Sequence, residues 1–195
     1  LIIEGYIEGK RLEGIVYEKL KELGLWNTNY SIDPFKIIES EGIVLKEDTF
    51  DNNDIKGMLV NGDNFSGIII NSNRCETSKR FIAMHELCHY WFHPRSQQTV
   101  CFEDYSKLKR GIEWQANNAA AYALMPSERV IDIFDYCDGN LHYMCNYFKV
   151  GKDSMSYRIK ELKLQKSVDT NFKYIVNHDI NFNMLENSWL YGGLK

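Results

Sequence analysis

The chain has 195 residues, 44% of them hydrophobic, with 23 Lys and Arg against 27 Asp and Glu for a formal charge of −4. That length suits one domain with a generous core, or one domain with a short appendage. The acidic balance argues against a protein whose main work is coating nucleic acid or an anionic membrane, and no apolar run approaches the roughly 18 residues of a membrane span.

In chain order, Leu12, Ile15, Val16, Leu20 and Leu23 recur at helical spacing over residues 10–23, and Gly24 supplies a stop. Asp33 is placed to cap a second helix, with Pro34 at its first position, Phe35, Ile37 and Ile38 buried, and Gly42 after its end. Extended runs follow at 43–46, 57–60 and 67–70. The turn residues Asn61-Gly62-Asp63-Asn64 join the last two as an antiparallel hairpin. The edge of such a hairpin can hold an extended peptide through backbone hydrogen bonds, or it can simply complete a core.

The next helix, capped by Thr77 or Ser78 and ended by Pro94, contains His85-Glu86-Leu87-Cys88-His89, an HExxH motif. Residues four apart on a helix share a face, so His85 and His89 can direct ring nitrogens at one metal ion, for which zinc is the expected choice. Glu86, a quarter turn round, is placed to reach an activated water without being a ligand. Phe81, Met84, Leu87, Cys88, Trp91 and Phe92 fall on one broad arc of the wheel, with the two histidines at its edge. The polar, irregular stretch 95–107 is expected to form a mobile rim.

A helix over 111–124, closed by Met125-Pro126, places Glu113, Ala116, Asn117, Ala120 and Leu124 on one face. Its small residues allow close approach to a neighbour. If that neighbour is the motif helix, Glu113 can bring a carboxylate oxygen to the metal, and Asn117 can orient a ligand from behind. A short helix around Val130, Ile131, Ile133 and Phe134 stops at Asp138-Gly139-Asn140. Segments 141–148 and 154–164, broken at Val150-Gly151-Lys152, have a helix-turn-helix outline. Lys149, Lys152, Arg158, Lys160, Lys163 and Lys166 make DNA contact through 149–166 conceivable, although such a pair more often completes a core with its lysines in solvent. The tail 167–195 carries Phe172, Tyr174, Phe182, Trp189 and Tyr191, which suit packing better than a linker.

A catalytic zinc takes three protein ligands and leaves one position open. His93 is eight residues beyond His85, about 12 Å along a helix axis, too far to share an ion that His89 also binds. Patterns that recruit a later histidine first break the helix with glycine, whereas positions 90–92 here are Tyr, Trp and Phe. Glu113 is therefore the expected third ligand, and His93 a residue that braces the site from behind. The five cysteines, Cys75, Cys88, Cys101, Cys137 and Cys145, share no CxxC spacing and read as reduced thiols. With Leu1-Ile2-Ile3 soon followed by Glu4 and Glu8, no secretory signal is evident, and a cytoplasmic location is expected.

The run from Lys79 through His85-Glu86-Leu87-Cys88-His89 to His93, followed by Glu113-Trp114-Gln115-Ala116-Asn117 and Leu124-Met125-Pro126, resembles the ImmA/IrrE family of metallo-endopeptidases. The likeness extends over about residues 11–164. It implies an α+β, mainly helical, gluzincin-like fold, with a small antiparallel sheet before the motif helix and a helix-turn-helix-like segment after it. It implies that His85, His89 and Glu113 bind Zn2+ and that Glu86 is the catalytic base. It also implies cleavage of a helix-turn-helix repressor of a mobile element, prophage or stress regulon; the alternative is a regulator that keeps a structural metal site and binds a repressor or DNA without cutting. The expected division is a peptidase core at 1–126, a helical segment packed on it at 127–166 and an extension at 167–195. Tyr122 or His142 is the expected donor to the oxyanion. Cys88 departs from the family's usual glycine, and a thiol beside the ligands raises the expectation of a response to oxidation.

Overall fold

The structure is a computed structural model that describes residues 2–3, 5, 7, 9–26, 31–93, 98–102 and 111–165. Seven helices and one four-stranded sheet make up the described fold, which is α+β and mainly helical. The expected tail 167–195, the rim residues 95–97 and 103–107, and Pro94 and Lys166 lie outside the described residues.

Helix α1 (Gly9–Glu22) buries Leu12, Val16 and Leu20, a stripe one residue wide at four-residue spacing. It ends as its sequence dictates: Gly24 takes φ +69°, and Leu25 N–H reaches back to the Leu20 carbonyl at 2.8 Å. Helix α2 (Pro34–Ser40) starts on Asp33, whose carboxylate accepts from Phe35 N–H at 3.2 Å. It stops the same way, with Gly42 at φ +70° and Ile43 N–H on the Ile38 carbonyl at 3.1 Å.

The sheet comprises β1 (Val44–Asp48), β2 (Ile55–Asn61), β3 (Ser66–Asn71) and β4 (Gln98–Phe102), in the order β1-β3-β2-β4. The β2–β3 hairpin is antiparallel, with Leu59 opposite Ile68. Two features depart from the expected small antiparallel sheet ahead of the motif helix. β1 pairs in parallel with β3, Val44 opposite Gly67, because the chain steps over the end of β3 before starting β2. That step crosses two strand spacings, about 10 Å, which the six residues 49–54 span easily. β4 comes from beyond the motif helix, out of the stretch expected to be irregular, and pairs antiparallel with β2.

Helix α3 (Glu76–Phe92) carries the HExxH motif and packs on β2, β3 and α2. It starts on Cys75 without a side-chain cap, two or three residues ahead of the expected Thr77 or Ser78. Its burial goes further than the amphipathic, mostly buried helix of the wheel: every residue from Ser78 to His89 is buried. Two of the charged residues within that run are matched, Lys79 with Glu47 at 2.7 Å and Arg80 with the carbonyls of Ile32 and Lys149. Helix α4 (Ile112–Leu124) buries Ala116, Ala119, Ala120, Ala121 and Ala123, and these small side chains let it lie against both α3 and α1.

Helices α5 (Ser127–Tyr136), α6 (Leu141–Phe148) and α7 (Lys152–Glu161) complete the described chain. Val130, Phe134, Met144, Phe148, Met155 and Ile159 join the same buried cluster as α1, α3 and α4. Arg158 points inward, 1% exposed, and bonds Glu161 at 2.6 Å, Glu13 at 2.5 Å and the Met125 carbonyl at 3.0 Å. No described helix is long and apolar enough to cross a membrane.

Candidate metal centre

His85 and His89 stand one turn apart on α3, and their Nε2 atoms lie 3.0 Å from each other. Glu113, in the first turn of α4, sets Oε2 at 3.2 Å from His85 Nε2 and Oε1 at 3.2 Å from His89 Nε2. The alanine face of α4 makes this approach possible, and a carboxylate is at home near a helix N-terminus. Among the described residues, these three form a group whose candidate ligand atoms all lie within 4.8 Å of one another.

The donor set fits a divalent cation. Two imidazoles and a carboxylate are zinc-type ligands, and tetrahedral bonds of about 2.0–2.1 Å hold donor atoms about 3.3–3.4 Å apart, close to the spacings here. Glu113 Oε2 is buried without a hydrogen-bond partner, so its 3.2 Å approach to His85 is a convergence and lacks hydrogen-bond alignment. The protonation states suit the same purpose. Burial drives His89 below the ordinary imidazole range, against the pull of Glu113. Burial also opposes charge on Glu113, but contacts with His85 and His89 outweigh it and hold that carboxyl well below its usual range. Neutral imidazole and ionised carboxylate are the forms that bind metal.

Behind each histidine stands a hydrogen-bonding partner. His85 Nδ1 meets Asn117 Oδ1 at 2.9 Å, one turn along α4 from Glu113. His89 Nδ1 meets Nδ1 of His93 at 2.9 Å, and His93 Nε2 meets Gln115 Oε1 at 3.0 Å. His93 caps the end of α3, and burial, with His89 beside it, pushes its pKa down to about 4, so it is neutral near pH 7. Gln115 escaped sequence reasoning, since glutamine in a helix carries no signature until its partners are in place.

Glu86 is fully buried, and neither carboxylate oxygen has a hydrogen-bond partner. Burial pushes its pKa up to about 8; His85 opposes the shift, Glu113 adds to it, and the nearby Leu59 backbone opposes it weakly. The wall beside it is β2, where a Cβ added to Gly57 would lie 3.5 Å from Glu86 Oε1 and 2.5 Å from Ile82 Cγ2. A glycine in a strand run is a signal for such a close approach, but the run 57–60 reads from sequence only as extended.

The expected oxyanion donors are elsewhere. Tyr122 is nine residues past Glu113, about 13 Å along α4, and its hydroxyl donates to Glu161 at 3.0 Å. His142 is exposed on α6, which packs chiefly on α5 and α7, and it meets Asn146 at 3.1 Å. The oxidation expected of Cys88 is also corrected: the thiol is fully buried, and burial pushes its pKa far up, away from the reactive thiolate.

A mainly helical α+β fold that brings two histidines of one helix and a carboxylate of the next to one point defines a metallopeptidase-like protein. Residues 38–160 match the family model of the M78 peptidases, described as the IrrE N-terminal-like domain. The match covers more than half of the chain, which belongs to that family, as its resemblance to ImmA/IrrE proteins implied. Comparison with curated proteins gives no match.

Proposed function

We propose that this protein is a zinc-dependent endopeptidase whose substrate is a helix-turn-helix repressor, cut so that the genes it silences are released. The observation that carries the reading is Glu86: a fully buried carboxylate, free of hydrogen bonds, beside a three-ligand cluster. A structural metal site has no use for such a group. Zinc held by His85, His89 and Glu113 would supply Lewis acidity, lowering the pKa of water and polarising a peptide carbonyl. Glu86 then takes a proton from the attacking water at one carboxylate oxygen and delivers it to the leaving amine nitrogen. Asn117 and His93 hold the two imidazoles in the tautomer that turns Nε2 toward the cluster.

The repressor as substrate follows from family resemblance, and the cytoplasm as location from the unpaired spacing of the cysteines and the lack of an evident secretory signal. The test is to incubate the purified protein with the repressor encoded beside its gene, with and without chelator. Chelator-sensitive fragments are expected. A shift in complex size with no fragments would replace the peptidase with a regulator that binds without cutting.

A further inference from the structure

We propose that the N-terminal segment is part of the metal centre: the Gly5 carbonyl, acting through Gln115 and His93, fixes the donor atom of His89 and with it the affinity for the ion. The proposal rests on reading His85, His89 and Glu113 as ligands.

The Gly5 carbonyl is a group with no choice of role. A backbone carbonyl only accepts, so the Gln115 atom 2.6 Å from the Gly5 oxygen is its amide nitrogen, Nε2. The amide oxygen therefore faces His93 Nε2 at 3.0 Å, and that nitrogen must carry a hydrogen. In neutral imidazole, Nδ1 of His93 is then a lone pair. It faces Nδ1 of His89 at 2.9 Å, which must donate. In neutral His89, Nε2 is then the lone pair, and it is the atom 3.2 Å from Glu113 Oε1. Each link has one allowed polarity once the carbonyl is in place.

The two histidines differ in what stands behind them. The bond behind His85 stays within the α3–α4 pair, at Asn117. The chain of bonds behind His89 leaves that pair and ends 110 residues from Gln115 in sequence. The segment that receives it is anchored at both sides. Ile3 N–H donates to the carbonyl of Phe92, the last residue of α3, at 2.6 Å, and Ile3 and Ile7 are 6% and 8% exposed. Gly5 itself has φ +78°, and a Cβ there would meet nothing within 4 Å. Backbone conformation, and not space, is what calls for glycine, and that conformation aims the carbonyl at Gln115.

The experiment measures zinc affinity of the full chain by competition with a chromogenic chelator, with the cobalt-substituted absorption spectrum as a second readout. Circular dichroism of each metal-free variant checks folding. Gln115→Met is expected to weaken zinc binding about 10- to 100-fold and to alter the cobalt spectrum. Gly5→Val, which disfavours positive φ, should act in the same direction, whereas Gly5→Asn, which tolerates it, should keep parental affinity. The Gln115→Met and Gly5→Val double variant should be no weaker than Gln115→Met alone, because the carbonyl acts only through the amide. Should Gln115→Met fail to fold, the contrast between Val and Asn at Gly5 decides. Zinc affinity within about twofold of parent in Gly5→Val, or effects that multiply in the double variant, would overturn the relay. A parent protein that binds no zinc would overturn the ligand reading and the relay together.

Discussion

Asn117 Oδ1 lies 2.9 Å from His85 Nδ1, one helical turn along α4 from Glu113. One helix thus supplies both a candidate ligand and the acceptor that orients another. The acceptor fixes hydrogen on Nδ1 and leaves Nε2 for the metal. Asn117→Ala is expected to weaken zinc binding about 10- to 100-fold with the fold retained, and Asn117→Asp, which keeps an acceptor, to recover most of it. Zinc titration of the two variants against parent checks this. Equal affinity in all three would show that the bond orients nothing.

Gly57 sets the backbone of β2 directly against Ile82 of the motif helix. An added methyl would sit 2.5 Å from Cγ2 of the fully buried Ile82. Ile82 precedes Glu86 by one turn, so pushing it away moves the base as well. Gly57→Ala should cost about 1–3 kcal/mol in urea unfolding, by overpacking. Adding Ile82→Ala removes the clash, so the double variant should lose less than the sum of the two singles. Simple additivity would show that the contact relaxes some other way.

How much of this was legible depends on how local each signal is. Gly24 and Gly42 end helices, and Asp33-Pro34 starts one, through bonds made within five residues, so the sequence exposes them. His85, Glu86 and His89 likewise lie within one turn and a half. β4 was missed because Gln98–Phe102 becomes a strand only by pairing with β2, across the motif helix in sequence. The parallel β1–β3 pair is non-local in the same sense. The wheel gives α3 as amphipathic and mostly buried but does not show that Lys79 and Arg80 are buried too, because Glu47 and the Ile32 and Lys149 carbonyls that match them arrive from other elements. Arg158, one of the basic residues counted toward DNA contact, was read as surface for the same reason.

Part of the acid sensitivity should trace to Glu13, away from the metal centre. Burial opposes its charge, but bonds from Ser127, Tyr17 and Arg158 outweigh this and lower its pKa. A carboxyl lowered in the folded state stabilises the fold above its unfolded value, near 4.5, and that contribution is lost as pH falls through the folded value. Glu13→Gln should therefore cost roughly 1–2 kcal/mol at pH 7, discounted because Glu13 is partly exposed and Arg158 keeps Glu161. The difference from parent should shrink below about pH 4. Urea melts at pH 7 and pH 3.5 test the sign, and a gap that widens in acid would refute it.

The cysteines should divide by exposure. Cys75 is exposed and Cys88 fully buried, with burial pushing the Cys88 thiol far above its ordinary value. Brief iodoacetamide treatment of native protein should label Cys75 and leave Cys88 untouched, while denatured protein labels both. Mass spectrometry of the peptides reads this directly. Rapid native labelling of Cys88 would restore oxidation as a control on the site.

Glu86 carries a conflict between folding and chemistry. Buried without a partner and pushed up to about 8, the carboxyl favours its protonated form in chelator-treated protein. A carboxyl raised in the folded state contributes stability below its unfolded value, near 4.5, and that contribution is lost as pH rises through about 8. Glu86→Gln keeps the shape and removes the charge. In chelator it should unfold like parent near pH 4, and exceed parent by up to a few kcal/mol above pH 8. The same variant should still bind zinc, since Glu86 is outside the ligand group, yet lose cleavage by several orders of magnitude. Thermal melts in chelator across pH 4–9, zinc titration and a cleavage assay measure the three effects. A variant that cleaves like parent would move the base to another residue, and one less stable than parent at pH 9 would mean that Glu86 has a partner in the fold after all.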